Sequence, residues 1–241
     1  MQTKAVDPQY QLALVSPFLL QTLAEVAGSH GVDPHALCRG LGFTLDDLQD
    51  PAQRISYRQA VAMIQRALKV LPQQGLGLWV GHQNVLGTLG LLGHVLSLCK
   101  TLRDAFDIGI RHQHTSGGIV SCSVRQQGDE FFVEAECRLP YSEVQIFAVE
   151  EFFASLPVYG RALVGADFKA LRVEFMHAAP AYRDEYLRLL GRMCTSAACT
   201  TAWSSPATGW TRACPTTTPW PCARRSSCWN WKAPRCTASW T

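Results

Sequence analysis

His112 and His114 stand two residues apart, on different faces if the backbone is helical and on one face if it is extended. A metal site there would need a strand and a further ligand from elsewhere. The stretch RHQH reads instead as the end of a helix, where partly protonated imidazoles favour the C-terminal dipole, so no metal is expected. Glu150 and Glu151 have the residue type for general acid–base work. Adjacent helical residues diverge by about 100°, however, and the expectation is a solvated face. His177 follows a strand and reads as a packing residue or a partner for a backbone group. Cys38, Cys99, Cys122 and Cys137 all fall at apolar-pattern positions and read as reduced core thiols. No Ser/His/Asp or Cys/His arrangement carries the local context that nucleophilic catalysis needs. No catalytic residue and no cofactor are expected, and the ligand-binding residues are not identifiable from spacing.

The run Gly87-Thr88-Leu89-Gly90-Leu91-Leu92-Gly93 resembles a phosphate loop only superficially. It has neither a lysine nor the G-x-G-x-x-G spacing, and close backbone packing at its small residues is the better account. The elements around these residues follow from periodicity. Ser16-Pro17 caps a first helix through Leu19, Leu23 and Val26, and Asp33-Pro34 opens a short second one through Leu37 and Leu41. Ser56 with Gln59 forms a capping box ahead of the stripe Ala60, Val61, Ile64, Ala67 and Leu68. A helix follows the glycine run, and Thr101 caps the next, through Leu102, Ala105 and Phe106.

From Gly118 the period becomes two. Val120, Cys122 and Val124 form one strand. Across a turn at Gln127-Gly128-Asp129, Phe131, Val133, Ala135 and Cys137 form the core face of a second, with Phe132, Glu134 and Glu136 on a wet face. A helix from about Glu143 carries Ile146, Phe147, Val149, Phe153 and Leu156. A strand holds Leu171, Val173 and Phe175, and a short helix from Pro180 carries Tyr182, Tyr186, Leu189 and Leu190 up to Gly191. The order predicts an α+β fold: an N-terminal helical layer, then an antiparallel sheet with packed helices.

Composition is ordinary on average but not along the chain. Apolar residues make up 47% and mean hydropathy is zero, as in globular protein, and no stretch reaches the roughly 20 apolar residues of a bilayer span. The N-terminus has no apolar core behind a basic start and reads as cytoplasmic, with no membrane partner. Residues 193–241, by contrast, contain no Leu, Ile, Val, Phe, Tyr, Asp, Glu, Gln or His, yet hold six of the ten Cys and six of the seven Trp. Their five basic residues face no acid. Taking these from the total of 22 leaves 17 basic against 19 acidic in residues 1–192, a net charge of −2 without the footprint of a nucleic-acid binder. The tail cysteines form no C-x-x-C pair and have no accompanying His, so a zinc module is excluded.

A reading-frame error accounts for this composition. Cys and Trp codons both begin with TG, so a frame starting at the third base of each codon turns all twelve into Leu, Met or Val. The pairs Trp210-Thr211 and Trp240-Thr241 become Asp, and Trp229-Asn230 and Trp231-Lys232 become Glu. The shifted tail begins like VHFGCVHNGLVFAGHWLD. Residues 193–241 are therefore expected to form no domain, to show little regular structure and to carry no function.

Three landmarks resemble the N-terminal domain of AraC-type transcription regulators, the domain called arabinose-binding: GTLGLLG at Gly87 to Gly93, TLRDAF at Thr101 to Phe106, and RVEFMHAAPAYRDEYLRLLG at Arg172 to Gly191. The resemblance covers nearly all of residues 10–192. It implies a one-component regulator whose N-terminal domain senses a small-molecule effector or packs as a homodimer. DNA would be bound through a C-terminal pair of helix-turn-helix motifs in the parent family. The expectation for this chain is a truncated regulator, with that region absent after the tail. The family name does not make arabinose the ligand. Two other readings compete: a small α+β enzyme with an unrecognised pocket, and an N-terminal helix-turn-helix over Asp33 to Leu48.

Overall fold

A computed structural model describes residues 12–190 apart from 73, 138 and 140, together with 194–195, 202–206 and 214. Its N-terminal layer is helical. Helix α1 (Pro17–Ser29) starts where Ser16 accepts a hydrogen bond from Phe18 N, and it buries Leu20, Leu23, Ala24, Val26 and Ala27. Helix α2 (Pro34–Cys38), capped by Asp33, ends earlier than Leu41, because Gly40 and Gly42 both take positive φ, which ordinary side chains disfavour. At five residues, with Leu37 and Cys38 buried in the core, α2 is too short to serve as a DNA-reading helix. Helix α3 (Tyr57–Val70) begins at the expected capping box of Ser56 and Gln59. A small pairing of β1 (Ala13–Val15) with β2 (Ile55–Ser56) had no signal in the sequence, since both strands are too short to show a period.

Helix α4 (Leu76–Gln83) is also new. It is apolar on most sides and so lacks the stripe by which a helix is recognised. It lies against α7 (Ser142–Val164), a 23-residue helix that runs through Pro157 and beyond Leu156. Contact is close because of glycine at i and i+4: a Cβ on Gly77 would sit 2.4 Å from the Phe147 carbonyl oxygen, and one on Gly81 would sit 2.0 Å from that of Glu151. Val144, Phe147 and Ala148 of α7 belong to the core under the N-terminal helices. Val149, Phe153, Leu156 and Leu163 belong to a second core under the sheet. The middle of α7 therefore has protein on both sides.

Three further helices follow the expected pattern: α5 (Leu91–Ser97), α6 (Leu102–Arg111) with a capping box of Thr101 and Asp104, and α8 (Arg183–Leu190). Gly191, read as the stop of α8, lies outside the described residues. The hairpin of β3 (Ser121–Gln127) and β4 (Glu130–Glu136) turns at Gly128, with Val124 opposite Val133. Strand β5 (Arg172–Phe175) joins them in a five-stranded sheet of order β3-β4-β7-β5-β6, where β6 is Cys194–Thr195 and β7 is Ala202–Pro206. All pairings are antiparallel except β5 with β6. The fold is α+β, as expected.

Two expectations are corrected here. Phe132, assigned to the wet face, is only 6% exposed, because the Arg125 and Arg172 guanidiniums lie over its ring at 4.1 and 5.7 Å. Residues 193–241 were expected to contribute little regular structure, yet β7 is an interior strand, pairing Val133 with Trp203 on one side and Arg172 with Ser204 on the other. The physical reason is that ladder hydrogen bonds come from the backbone, which almost any residue supplies. Cys214 is buried as well, its N–H donating to the Lys100 carbonyl at 2.8 Å. The rest of the tail lies outside the described residues. Among the described residues no helix is long and apolar enough to cross a membrane.

Candidate functional site

Close approaches at glycine shape a cavity of about 170 Å³ between α5, α6, β3 and the inner face of α7. Gly93 packs α5 onto the turn at 86–89, where a Cβ would lie 1.8 Å from the Leu86 carbonyl oxygen, as the close-packing account of the glycine run requires. Gly90, in the same run, takes φ +60. Gly117, at φ +68, brings the loop after α6 onto the start of α1, where Ser16 N donates to its carbonyl at 3.0 Å. The walls are mainly aliphatic and aromatic: Leu92 and Leu96 from α5, Phe106 and Ile110 from α6, Phe152 and Leu156 from α7.

Polar groups are few and mostly satisfied. Gln113 ties α6 to β3, its Oε1 accepting from Cys122 N at 2.7 Å while its Nε2 donates to the Ile110 and Cys122 carbonyls. Ser155 donates to the Phe152 carbonyl at 2.7 Å, and Thr88 lies 3.3 Å from the Tyr159 hydroxyl. The exception is Glu151. Its one hydrogen-bond partner among the described residues is Asn84, itself 5% exposed, whose amide donates to Oε1 at 2.5 Å. Burial pushes the Glu151 carboxyl up to about 7 against the lowering effect of that bond. Burial and the nearby Glu151 charge push the Tyr159 hydroxyl well above its usual range, and burial pushes the Cys122 thiol up to about 11. Among the described residues the lining contains no Lys, Arg or His, and Glu151 is the one lining group of these able to carry charge near neutral pH.

Glu150 faces the other way and is 1% exposed. The stacked Tyr182 and Tyr186 both donate to its Oε1, the former at 2.7 Å, and burial still pushes the carboxyl up to about 7. Trp79 of α4 stacks on His30 at 4.2 Å and donates to Glu185 at 3.0 Å, tying α1, α4 and α8 together. The expected solvated face at Glu150 and Glu151 is thus overturned. Their divergence held, but each side of α7 meets protein. A pair of acids between Phe147 and Leu156, amid apolar residues, was the available signal. Nothing in the sequence singled out Asn84, Thr88, Gln113 or Tyr159, whose roles arise from contacts across 9 to 71 residues.

The other candidates separate. His112 is the C-cap of α6 and His114 lies in the following turn. His177 sits after β5 with Nδ1 3.0 Å from the Ala178 carbonyl, and its buried Nε2 has no partner among the described residues. Cys38 and Cys99 are buried, Cys122 and Cys137 half-buried, and all four are free thiols. Among the described residues no group of three or more metal-ligating side chains gathers.

Residues 31–212 match the family described as the arabinose-binding domain of AraC transcription regulators, at the N-terminus. Similar curated proteins are HTH-type transcriptional regulators of Mycobacterium bovis and Mycobacterium tuberculosis, each 26% identical over 140 residues. The matched segment is 58% of this chain but 41% of either relative, so the chain spans about two fifths of their length. Among solved structures, the transcriptional regulator CdpR from Pseudomonas aeruginosa shares the fold, with a TM-score of 0.53 at 14% identity over 66% of this chain and 52% of that one.

Proposed function

The chain belongs to the family of N-terminal arabinose-binding domains of AraC transcription regulators, and from that premise we propose that it is the effector-sensing and dimerising part of a one-component regulator, with its effector in the α5–α6–α7 cavity. The observation that carries this reading is the cavity itself, apolar-walled with a few convergent polar groups, the usual make-up of a small-molecule site. Its volume suits a ligand near the size of benzene, which fills an apolar cavity of about 150 Å³. Helix α5 lines it with Leu92 and Leu96 while leaving Leu91 and Leu98 80% and 70% exposed, with Val95 between them at helical spacing. A second copy of the chain is proposed to pack on that stripe, so that one short helix touches both effector and partner. DNA reading is not assigned to residues 1–192, and the protein is proposed to act in the cytoplasm. No observation favours the enzyme alternative.

The cavity reading is tested by thermal unfolding of the full chain with a panel of benzene-sized compounds. Binders are expected to raise the midpoint. The rise should vanish in Ala105→Phe, which fills the cavity. No binder, or a rise that survives filling, overturns it.

We further propose that residues 193–241 are read out of frame. Supporting this is composition: residues 193–241 hold no Leu, Ile, Val, Phe, Asp or Glu, and the shifted frame turns their twelve Cys and Trp into Leu, Met or Val. The pairing of AWSSP as an interior strand counts against it.

A further inference from the structure

We infer that the effector taken by this cavity is a small apolar molecule bearing a single amine, whose ammonium group pairs with the Glu151 carboxylate. The inference rests on the cavity being the effector site. Its ground is the imbalance between one half-buried, cavity-lining carboxyl and what surrounds it. Asn84 supplies one neutral hydrogen bond, while Thr88, Ser155 and Gln113 are engaged elsewhere. An ionised carboxylate with so little compensation either takes up a proton or waits for a cation. A ligand ammonium supplies that charge at short range, with charge-assisted hydrogen bonds. A hydroxyl supplies one neutral bond, and a ligand carboxylate adds like charge. An amino acid is a poor fit, because its own carboxylate would find no Lys, Arg or His among the described residues of the lining. The remaining walls are apolar, so the rest of the ligand is a hydrocarbon or aryl body of about six to nine non-hydrogen atoms.

The charge state of Glu151 makes the inference pH-sensitive. The other titratable groups among the described lining residues, Tyr159 and Cys122, are held neutral by burial, and Glu150 points to the opposite side of α7. At low pH the empty site holds a protonated Glu151 and binding an ammonium must expel that proton.

Calorimetric titration of the full chain with toluene, benzyl alcohol, benzylamine and benzoate, at about pH 5.5 and 8, tests this. Benzylamine is expected to bind at least about tenfold more tightly than benzyl alcohol at the higher pH, the margin of a charge-assisted over a neutral hydrogen bond. The margin should shrink at the lower pH and vanish in Glu151→Gln. Should that variant fail to fold, the wild-type pH series decides. Toluene or benzyl alcohol binding as well as benzylamine at pH 8, or benzoate binding best, overturns the amine inference and leaves the cavity reading standing. If none of the four binds, the cavity reading falls and this inference with it.

Discussion

Gly81 of α4 stands so close to Glu151 of α7 that a methyl group on its Cα would overlap the Glu151 carbonyl oxygen, at 2.0 Å. The same contact brings Asn84, one turn on, within hydrogen-bond reach of the Glu151 side chain. Gly81, with Gly77 one turn earlier, therefore sets both the helix–helix separation and the one hydrogen bond that Glu151 receives from α4.

Gly81→Ala is accordingly expected to destabilise the fold by about 1–3 kcal/mol, because two helix backbones must part to admit it. Gly109→Ala in α6 is the control. Its added Cβ would meet nothing nearer than Leu96 at 3.8 Å, and it should be neutral or stabilising by up to about 1 kcal/mol. Urea unfolding of both variants checks this, and equal midpoints would refute the close-contact account.

Stability should fall as pH rises from about 5 to 8. The Glu150 carboxyl, raised by burial from 4.5 to about 7, binds its proton more tightly folded than unfolded. Its contribution is fully present below 4.5 and lost as pH passes about 7, a change on the order of 3 kcal/mol. Glu151 adds a parallel change. Glu150→Gln keeps an acceptor for Tyr182 and Tyr186 and should remove part of the slope. Unfolding midpoints that stay flat or climb over this range in the wild-type chain would contradict the raised carboxyls of Glu150 and Glu151.

Replacing both Leu91 and Leu98 by Ser should weaken self-association at least about tenfold, since each exposed leucine gains on the order of 1.5–3 kcal/mol when a partner covers it. Both side chains are exposed, so the monomer's unfolding midpoint should scarcely move. Sedimentation velocity over a concentration series is the measurement. An unchanged dimer constant would remove α5 from the interface.

Resequencing across the codons for Arg192 and Met193 tests the frame directly. A repaired chain should place apolar residues at Ala202–Pro206, the interior strand of the sheet, and unfold at higher denaturant than the chain as written. A lower or equal midpoint would mean that AWSSP serves the sheet as well as its replacement.

Much of the frame was legible from local signals alone. The capping boxes at Ser56 and Thr101, the cap at Ser16, and the alternation from Ser121 to Glu136 specify α3, α6, α1 and the hairpin because each is a contact between near neighbours. The GTLGLLG run and the strand–helix stretch at 172–191 were enough to point to the family. What the sequence by itself left undetermined lies in contacts between distant residues. Nothing local distinguishes a Glu-Glu pair on a surface helix from one in a helix enclosed on both sides. Glu151 comes to line a cavity with one partner only when α4 closes to backbone contact and Asn84 arrives, and Glu150 is buried only when Tyr182, ahead of α8, and Tyr186, within it, close onto it. Phe132 likewise reads as wet by alternation and is covered by arginines from two strands. Periodicity records which way a side chain points, and only the packed tertiary structure decides what it meets there.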